Sequence, residues 1–344
     1  MQPSVSICVP TYNGAAHLVS CLESALNQTS TDFELLVVDD ASSDDTVAIT
    51  EAFAVRDRRV RVARNPRNIG LVGNWNRCLE LAKGAWIKFL FQDDLLSPAC
   101  LSTMLSHAEG GIPFVVTARQ VAFEPDTPAE FREQFEGPDA KRLGDRSATW
   151  PVIVNPDWFV KKMLERPTDN WIGEPTSTLF HRSVFDRFGD FNSHMRVLVD
   201  WEFSARVAVN TGFAFVKEPL ATFRVHAGST TQRESRRSRF TAHLDNLVLY
   251  HELAYAPAFE PVRAAAVRFV PAIDFRFVLA RAVREARREA RRSDVGEHAR
   301  VDLQSLMSAV PRLTSTPRGY RRRRMREFRW AVQSRLEGLF ARRV

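Results

Sequence analysis

The sequence predicts an α/β fold, a mixed, mainly parallel sheet flanked by helices, on two observations. Short apolar runs alternate with amphipathic stretches through the first hundred residues, and strands joined by helices imply βαβ units with right-handed crossovers. Each apolar run then ends in a polar turn, PTYNG, VVDDASS or FQDD, on the strand edge where ligands of parallel sheets bind. At 344 residues, 44% of them hydrophobic, the chain is long enough to bury one large core or two smaller ones.

VSICVP is the first strand, and AAHLVSCLESALNQ is a helix with Leu18, Leu22 and Leu26 at four-residue spacing. FELLVVDD is the second strand. A helix follows from Asp44, with Ser42, Ser43 or Asp44 as its N-cap. RVRVA is the third strand, GLVGNWNRCLELAKG a helix stopped by glycine, and AWIKFLF a fourth strand whose composition suits burial on both faces. After Gly110 the alternation weakens. GIPFVVTARQVAF reads as a longer strand, and residues 123–146 as a polar surface insertion rich in Pro and acids. PTSTLFH, FAFVKE and ATFRVH read as short strands around a helix near Asp200. From about Arg233 the chain turns helical and rich in Arg and Ala, so the expected division is a catalytic domain at 1–232, with halves at 1–110 and 111–232, and a helical region at 233–344.

Charge is unevenly spread. Residues 318–344 hold ten arginines and two glutamates, a net of +8, while the rest balances 38 basic against 39 acidic residues. A near-neutral body argues against nucleic acid as a partner. In the tail, Met325, Phe328, Val332, Leu336 and Leu339 form one stripe. That pattern suits a helix lying on an anionic membrane or one packed on the body. The four cysteines form no CxxC pair and read as buried thiols of a cytoplasmic protein. No secretory leader is recognisable, and no apolar run reaches the ~18 residues of a membrane span.

The chemistry lies in the acids. Asp93 and Asp94 repel each other at the end of an apolar strand. Either Asp94 caps the next segment while Asp93 faces water, or the two serve a divalent cation that takes hard oxygen ligands and substrate phosphates. PTYNG, ELLVVDDASSDDT, RNIGLVGNWN and FQDD, followed in order by GEPTSTLFHRSVF, LVDWEFSARVA and FRVHAGSTT, resemble the family 2 glycosyltransferases, over about residues 3–232.

The resemblance implies a GT-A fold and an inverting, metal-dependent transfer from a nucleoside-diphosphate sugar, weakly favouring UDP, to a glycan or glycolipid hydroxyl in cell-surface polysaccharide synthesis. It places Pro10, Tyr12, Asn13, Asp40, Asn68, Gly70 and Asn76 on the donor side. Tyr12 would stack on the base, and Asp40 would accept from the base's ring N–H, with Asp39 supporting its loop. Asp93 would hold the ribose or the metal shell, and Asp94 would ligate Mg²⁺ or Mn²⁺ directly, with His226 as a further metal or phosphate contact. Gln92 stands where the family's DxD pattern begins. Asp200 takes the place of the catalytic base or caps its helix, and Glu202 points elsewhere. Trp171, Glu174, Trp201, Arg224 and Ser229 fall on the acceptor or phosphate side, with a buried core tryptophan the alternative for Trp201 and a surface position the alternative for Arg224. A single base and no nucleophile imply one displacement. Two other readings stay open: a nucleotidyltransferase, although PTYNGAAH lacks the basic residue to hold a triphosphate, and a non-catalytic sugar-nucleotide scaffold on a membrane. The expected location is the cytoplasm, at the inner face of the cell membrane if the tail docks there.

Overall fold

The structure is a computed structural model that describes residues 2–125, 127–129, 132–133, 150–226, 239–268, 273–291, 296–315 and 317. The basic tail at 318–344, Ser229 and most of the acidic insertion lie outside these residues.

β1 (Val5–Thr11), β2 (Phe33–Asp39), β3 (Val60–Arg64) and β4 (Trp86–Phe89) are mutually parallel, in the order β3-β2-β1-β4. They are linked through α1 (Ala15–Leu26), α2 (Thr46–Arg56) and α3 (Leu71–Leu81). Side chains alternate across a strand, so successive residues feed opposite layers. Ile7, Val9, Leu35 and Val37 join the core under α1, while Cys8, Leu36 and Val38 join the larger core under α3. All four cysteines are buried and unpaired.

The second half of the sheet is mixed. β5 (Leu95–Leu96) follows the acid pair, and α4 (Cys100–His107) leads to β6 (Phe114–Phe123). β7 (Ile153–Val154), α5 (Pro156–Glu165), β8 (Thr178–His181), α6 (Ser183–Phe188), α7 (Val199–Thr211) and β9 (Phe213–Val225) complete it. β8 inserts antiparallel between β4 and β6, and β9 pairs parallel with β6 and antiparallel with β5 and β7. FAFVKE and ATFRVH, read from sequence as two strands, are one strand. Pro219 sits where the β6–β9 register shifts around Ala118, a bulge that tolerates the missing proline N–H.

Beyond residue 232 lie α8 (Arg239–Tyr255), α9 (Glu260–Ala266), α10 (Phe275–Glu289) and α11 (Gly296–Ala309). The expected boundary is no break in packing. Leu244, Leu247, Leu279, Val283 and Leu303 belong to the same core as Trp75, Phe180 and Trp201, so the helices close the face of the sheet that carries α3 and α7. No described helix is long and apolar enough to cross a membrane.

Candidate active site

The carboxyl ends of β1, β2 and β4 bring Tyr12, Asp40 and Asp93 to one edge, as parallel topology requires. At the end of β2, Asp39 and Asp40 divide their work. Asp39 accepts hydrogen bonds from the Ser42 amide and hydroxyl and from Thr11, which closes the loop after β2. Asp40 is buried and accepts from Asn65 Nδ2 at 2.9 Å, Ile69 N at 2.9 Å and Gly70 N at 3.0 Å. Its Oδ2 takes only the Gly70 bond of these three, and a carboxylate oxygen can accept two. Asn68 accepts from the same Gly70 amide, whose φ of 83° suits glycine. Asn13 sits at φ 48° and accepts from Ser43 N at 2.8 Å, fastening the two loops together.

Tyr12 is 43% exposed, with its backbone held from both sides. Gln92 Oε1 accepts from Tyr12 N at 2.9 Å while Gln92 Nε2 donates to Tyr12 O at 3.3 Å. A Cβ on Gly14 would strike that glutamine side chain. The neutral residue at the start of the acid motif thus anchors the backbone that carries this exposed ring. Pro10 is buried within β1.

Several expected roles are corrected. Asn76 commits both ends of its amide to the backbone of Phe191, at 3.0 Å each, and braces α3 against the loop before α7. Trp201 is fully buried, donates to Pro167 O and packs on Phe159. Trp171 is 7% exposed and donates to Arg166 O. Burial of both indoles leaves no face on which a sugar could stack. Arg224 turns its guanidinium to the Asp93 carbonyl and to Ser20 Oγ, so it supports the acid turn and does not present a fork to a phosphate.

The largest correction concerns the acid pair. Asp94, expected to ligate the metal, has no exposed surface and both its oxygens are engaged. Thr176 Oγ1 donates to Oδ2 at 2.6 Å and Arg224 N to Oδ1 at 3.1 Å. Burial pushes the Asp94 carboxyl well above the usual range; the Asp93 charge adds to this and the hydrogen bonds oppose it. Beneath it Lys88, equally buried, donates to the carbonyls of Thr176 and Thr178. The cost of burying Asp94 is thus offset by protein groups, and the outward acid is Asp93. Its side chain is 20% exposed, and its Oδ2 lies 3.0 Å from His226 Nε2.

Among the described residues no cluster of three or more His, Cys, Asp or Glu is arranged to hold a metal. Two donors 3.0 Å apart nonetheless fit a Mg²⁺ or Mn²⁺ that draws the rest of its shell from diphosphate and water. His17 on α1, which sequence reading missed, lies against His226 with ring centroids 4.4 Å apart and pairs with Glu124 at 3.4 Å. Nothing in its local sequence marks it; the pairing of β9 with β5 and β6 brings His226 to it.

Asp200 occupies the first turn of α7 without being its N-cap, which is Leu198. Its Oδ1 accepts from Trp201 N at 2.7 Å and its Oδ2 from Asn170 Nδ2 at 3.1 Å. Burial first, then the charge of Glu174, raises its pKa from 3.8 to about 7, against the pull of those hydrogen bonds. Glu174 itself is ion-paired with Arg119 and also bears on Asp94. Glu174 therefore links the acid turn to Asp200, and Asp200 keeps part of its surface in solvent. Glu202, two residues on, is buried in an ion pair with Arg206.

Comparisons with known proteins agree with this architecture. The chain is 33% identical over 232 residues to the uncharacterized protein MT1568 of Mycobacterium tuberculosis, which covers 67% of this chain and 70% of that one. It is 30% identical over 214 residues to the PGL/p-HBAD biosynthesis glycosyltransferase of Mycobacterium bovis, covering 60% of this chain and 71% of that one. In fold it is similar to S. aureus TarS 1-349 in complex with UDP-GlcNAc (TM-score 0.52, 15% identity, 93% of this chain, 92% of that one). It is also similar to the mannosyltransferase PcManGT of Pyrobaculum calidifontis in complex with GDP-Man and Mn²⁺ (TM-score 0.51, 17% identity, 91% and 88%). The sequence model of glycosyl transferase family 2 matches residues 6–189. The chain therefore belongs to glycosyl transferase family 2 and is a glycosyltransferase with the GT-A fold.

Proposed function

We propose that the enzyme transfers a sugar from a nucleoside-diphosphate donor to a hydroxyl of a glycan or glycolipid, with inversion and with help from a divalent cation. The observation that carries this reading is Asp200: a carboxyl raised to about 7, one glutamate away from the acid turn, at a partly open position. A base with a pKa near the working pH combines a useful deprotonated fraction with enough basicity to take a hydroxyl proton. Asn170 and the Trp201 amide hold its oxygens, so its orientation does not depend on the acceptor.

On the donor side Tyr12 offers its ring to the base and Asp40 Oδ2 the remaining acceptor position. Uridine is the favoured base, in keeping with the UDP complexes of TarS, although PcManGT holds GDP-Man. Asp93 and His226 would hold the cation, which when bound would supply charge to offset the departing diphosphate. Deprotonation by Asp200 opposite that leaving group gives one displacement and inversion, with no covalent glycosyl-enzyme. The glycolipid class of acceptor is supported by the named role of the mycobacterial relative in PGL/p-HBAD biosynthesis. The charge of residues 318–344 supports a seat at the inner face of the membrane. Co-sedimentation with anionic liposomes, lost on deleting that tail, tests the location.

The donor assignment is tested by thermal stabilisation with a panel of nucleoside-diphosphate sugars, with and without Mn²⁺. At least one should raise the melting temperature more with the metal than without it. No response from any of them would refute the donor site.

A further inference from the structure

The loop that delivers Asp200 to the site is not held by the catalytic half alone. Asp245, on α8, has no exposed surface, and its carboxylate accepts from three consecutive backbone amides. These are Arg196 N at 3.1 Å, Val197 N at 2.6 Å and Leu198 N at 2.7 Å. They are the residues immediately before α7, and Leu198 is the N-cap of that helix. Leu198 carries no side-chain cap of its own, so a carboxylate from a helix 47 residues downstream stands at this terminus. A negative group is favoured there by the helix dipole and the unsatisfied N–H groups. A second, outer tie joins Arg196 to Asp302 of α11 at 2.9 and 3.3 Å. Both acids lie beyond residues 6–189, the stretch the family model matches.

We propose that Asp245 is a positioning residue for Asp200: the C-terminal helices, through this buried carboxylate, fix the turn that sets where the catalytic base meets the acceptor hydroxyl. The proposal rests on Asp200 being the base. It assigns the helical extension a role in the chemical step in addition to its part in the core. Asp245 and Asp302 engage residues 196–198 and, among the described residues, none of the donor groups on β1, β2 or the acid turn, so donor binding is not their task.

The test compares Asp245→Asn, Asp302→Asn and Asp200→Asn in the full-length enzyme, measuring kcat, donor Kd by calorimetry, and the pH profile of kcat. Asp245→Asn keeps the shape but removes the charge and one of the two acceptor oxygens. It should lower kcat about ten- to a hundredfold, the scale of a misplaced reacting group, while donor Kd stays within twofold. Its acidic limb should also move to lower pH, because a loosened turn returns Asp200 toward solvent and away from Glu174. The exposed Asp302→Asn should change kcat less than threefold. A kcat within twofold of wild type for Asp245→Asn, or equal losses in kcat and donor affinity, would overturn the positioning role while leaving Asp200 in place. Near-normal turnover by Asp200→Asn would instead remove the base on which the proposal rests. Should Asp245→Asn not fold, amide exchange in the wild-type enzyme decides. The amides of 196–198 should exchange as slowly as those inside α7, and rapid exchange there would refute the clamp.

Discussion

Changing Glu174 to Gln isolates the electrostatic part of the base's elevation. The pKa of Asp200 stands about three units above 3.8, which amounts to ~4 kcal/mol favouring its neutral form. Burial is the larger cause and Glu174 the second. A like charge in the same site is worth about one unit or more. Glu174→Gln removes that charge, keeps the volume, and leaves Arg119 without its ion-pair partner. The uncompensated guanidinium favours the carboxylate further. The acidic limb of kcat should therefore shift down by about one pH unit, and at pH 6 the deprotonated fraction should rise about fivefold. The assay is the pH dependence of kcat at saturating donor and acceptor for both proteins. A limb that stays near 7, or moves upward, would refute Glu174 as a cause of the elevated pKa.

Other expectations follow from the same geometry. Asp93→Asn should abolish the Mn²⁺-dependent part of donor stabilisation, while Asp94→Asn, whose amide can still face Thr176 and the Arg224 N–H, should keep it; thermal shift with a nucleotide sugar distinguishes the two, and the opposite pattern would restore Asp94 as ligand. Gln92→Ala removes both bonds that hold the Tyr12 backbone. At ~1 kcal/mol net per hydrogen bond, donor Kd measured by calorimetry should weaken about three- to tenfold. Arg206→Met leaves Glu202 buried without its partner, a loss of ~3–5 kcal/mol in urea unfolding at pH 8. Glu202 is raised from 4.5 to about 7 in the fold even with Arg206 holding it down; without Arg206 it rises further and takes up its proton above pH 7, so the deficit should shrink as pH falls from 9 to 7 and stay level below that.

The parallel half of the fold was legible because its signals are local. Leu18 and Leu22 face the core as their spacing predicts, and β1 to β4 fall on the expected apolar runs. The mixed half was less so. Nothing near Thr178 announces that β8 enters antiparallel between β4 and β6, and FAFVKE and ATFRVH, read as two strands, are joined by a bulge at Pro219. Site residues divide in the same way. The strand-end position of Asp40 and Asp93 follows from topology. Which of two adjacent acids turns outward depends on Thr176 and Arg224, 82 and 130 residues away from Asp94. The indoles of Trp171 and Trp201 suited sugar stacking by type, but a larger core than the motifs suggested enclosed them. The contacts of Gln92, His17 and Asp245 exist only through long-range packing.

The role of Asp200 as base is tested most directly by single-turnover transfer by Asp200→Asn with donor and Mn²⁺ saturating. It predicts transfer slowed by at least ~10²-fold, the lower range for loss of a positioned base, with donor affinity within twofold of wild type. Transfer within tenfold of wild type would contradict it.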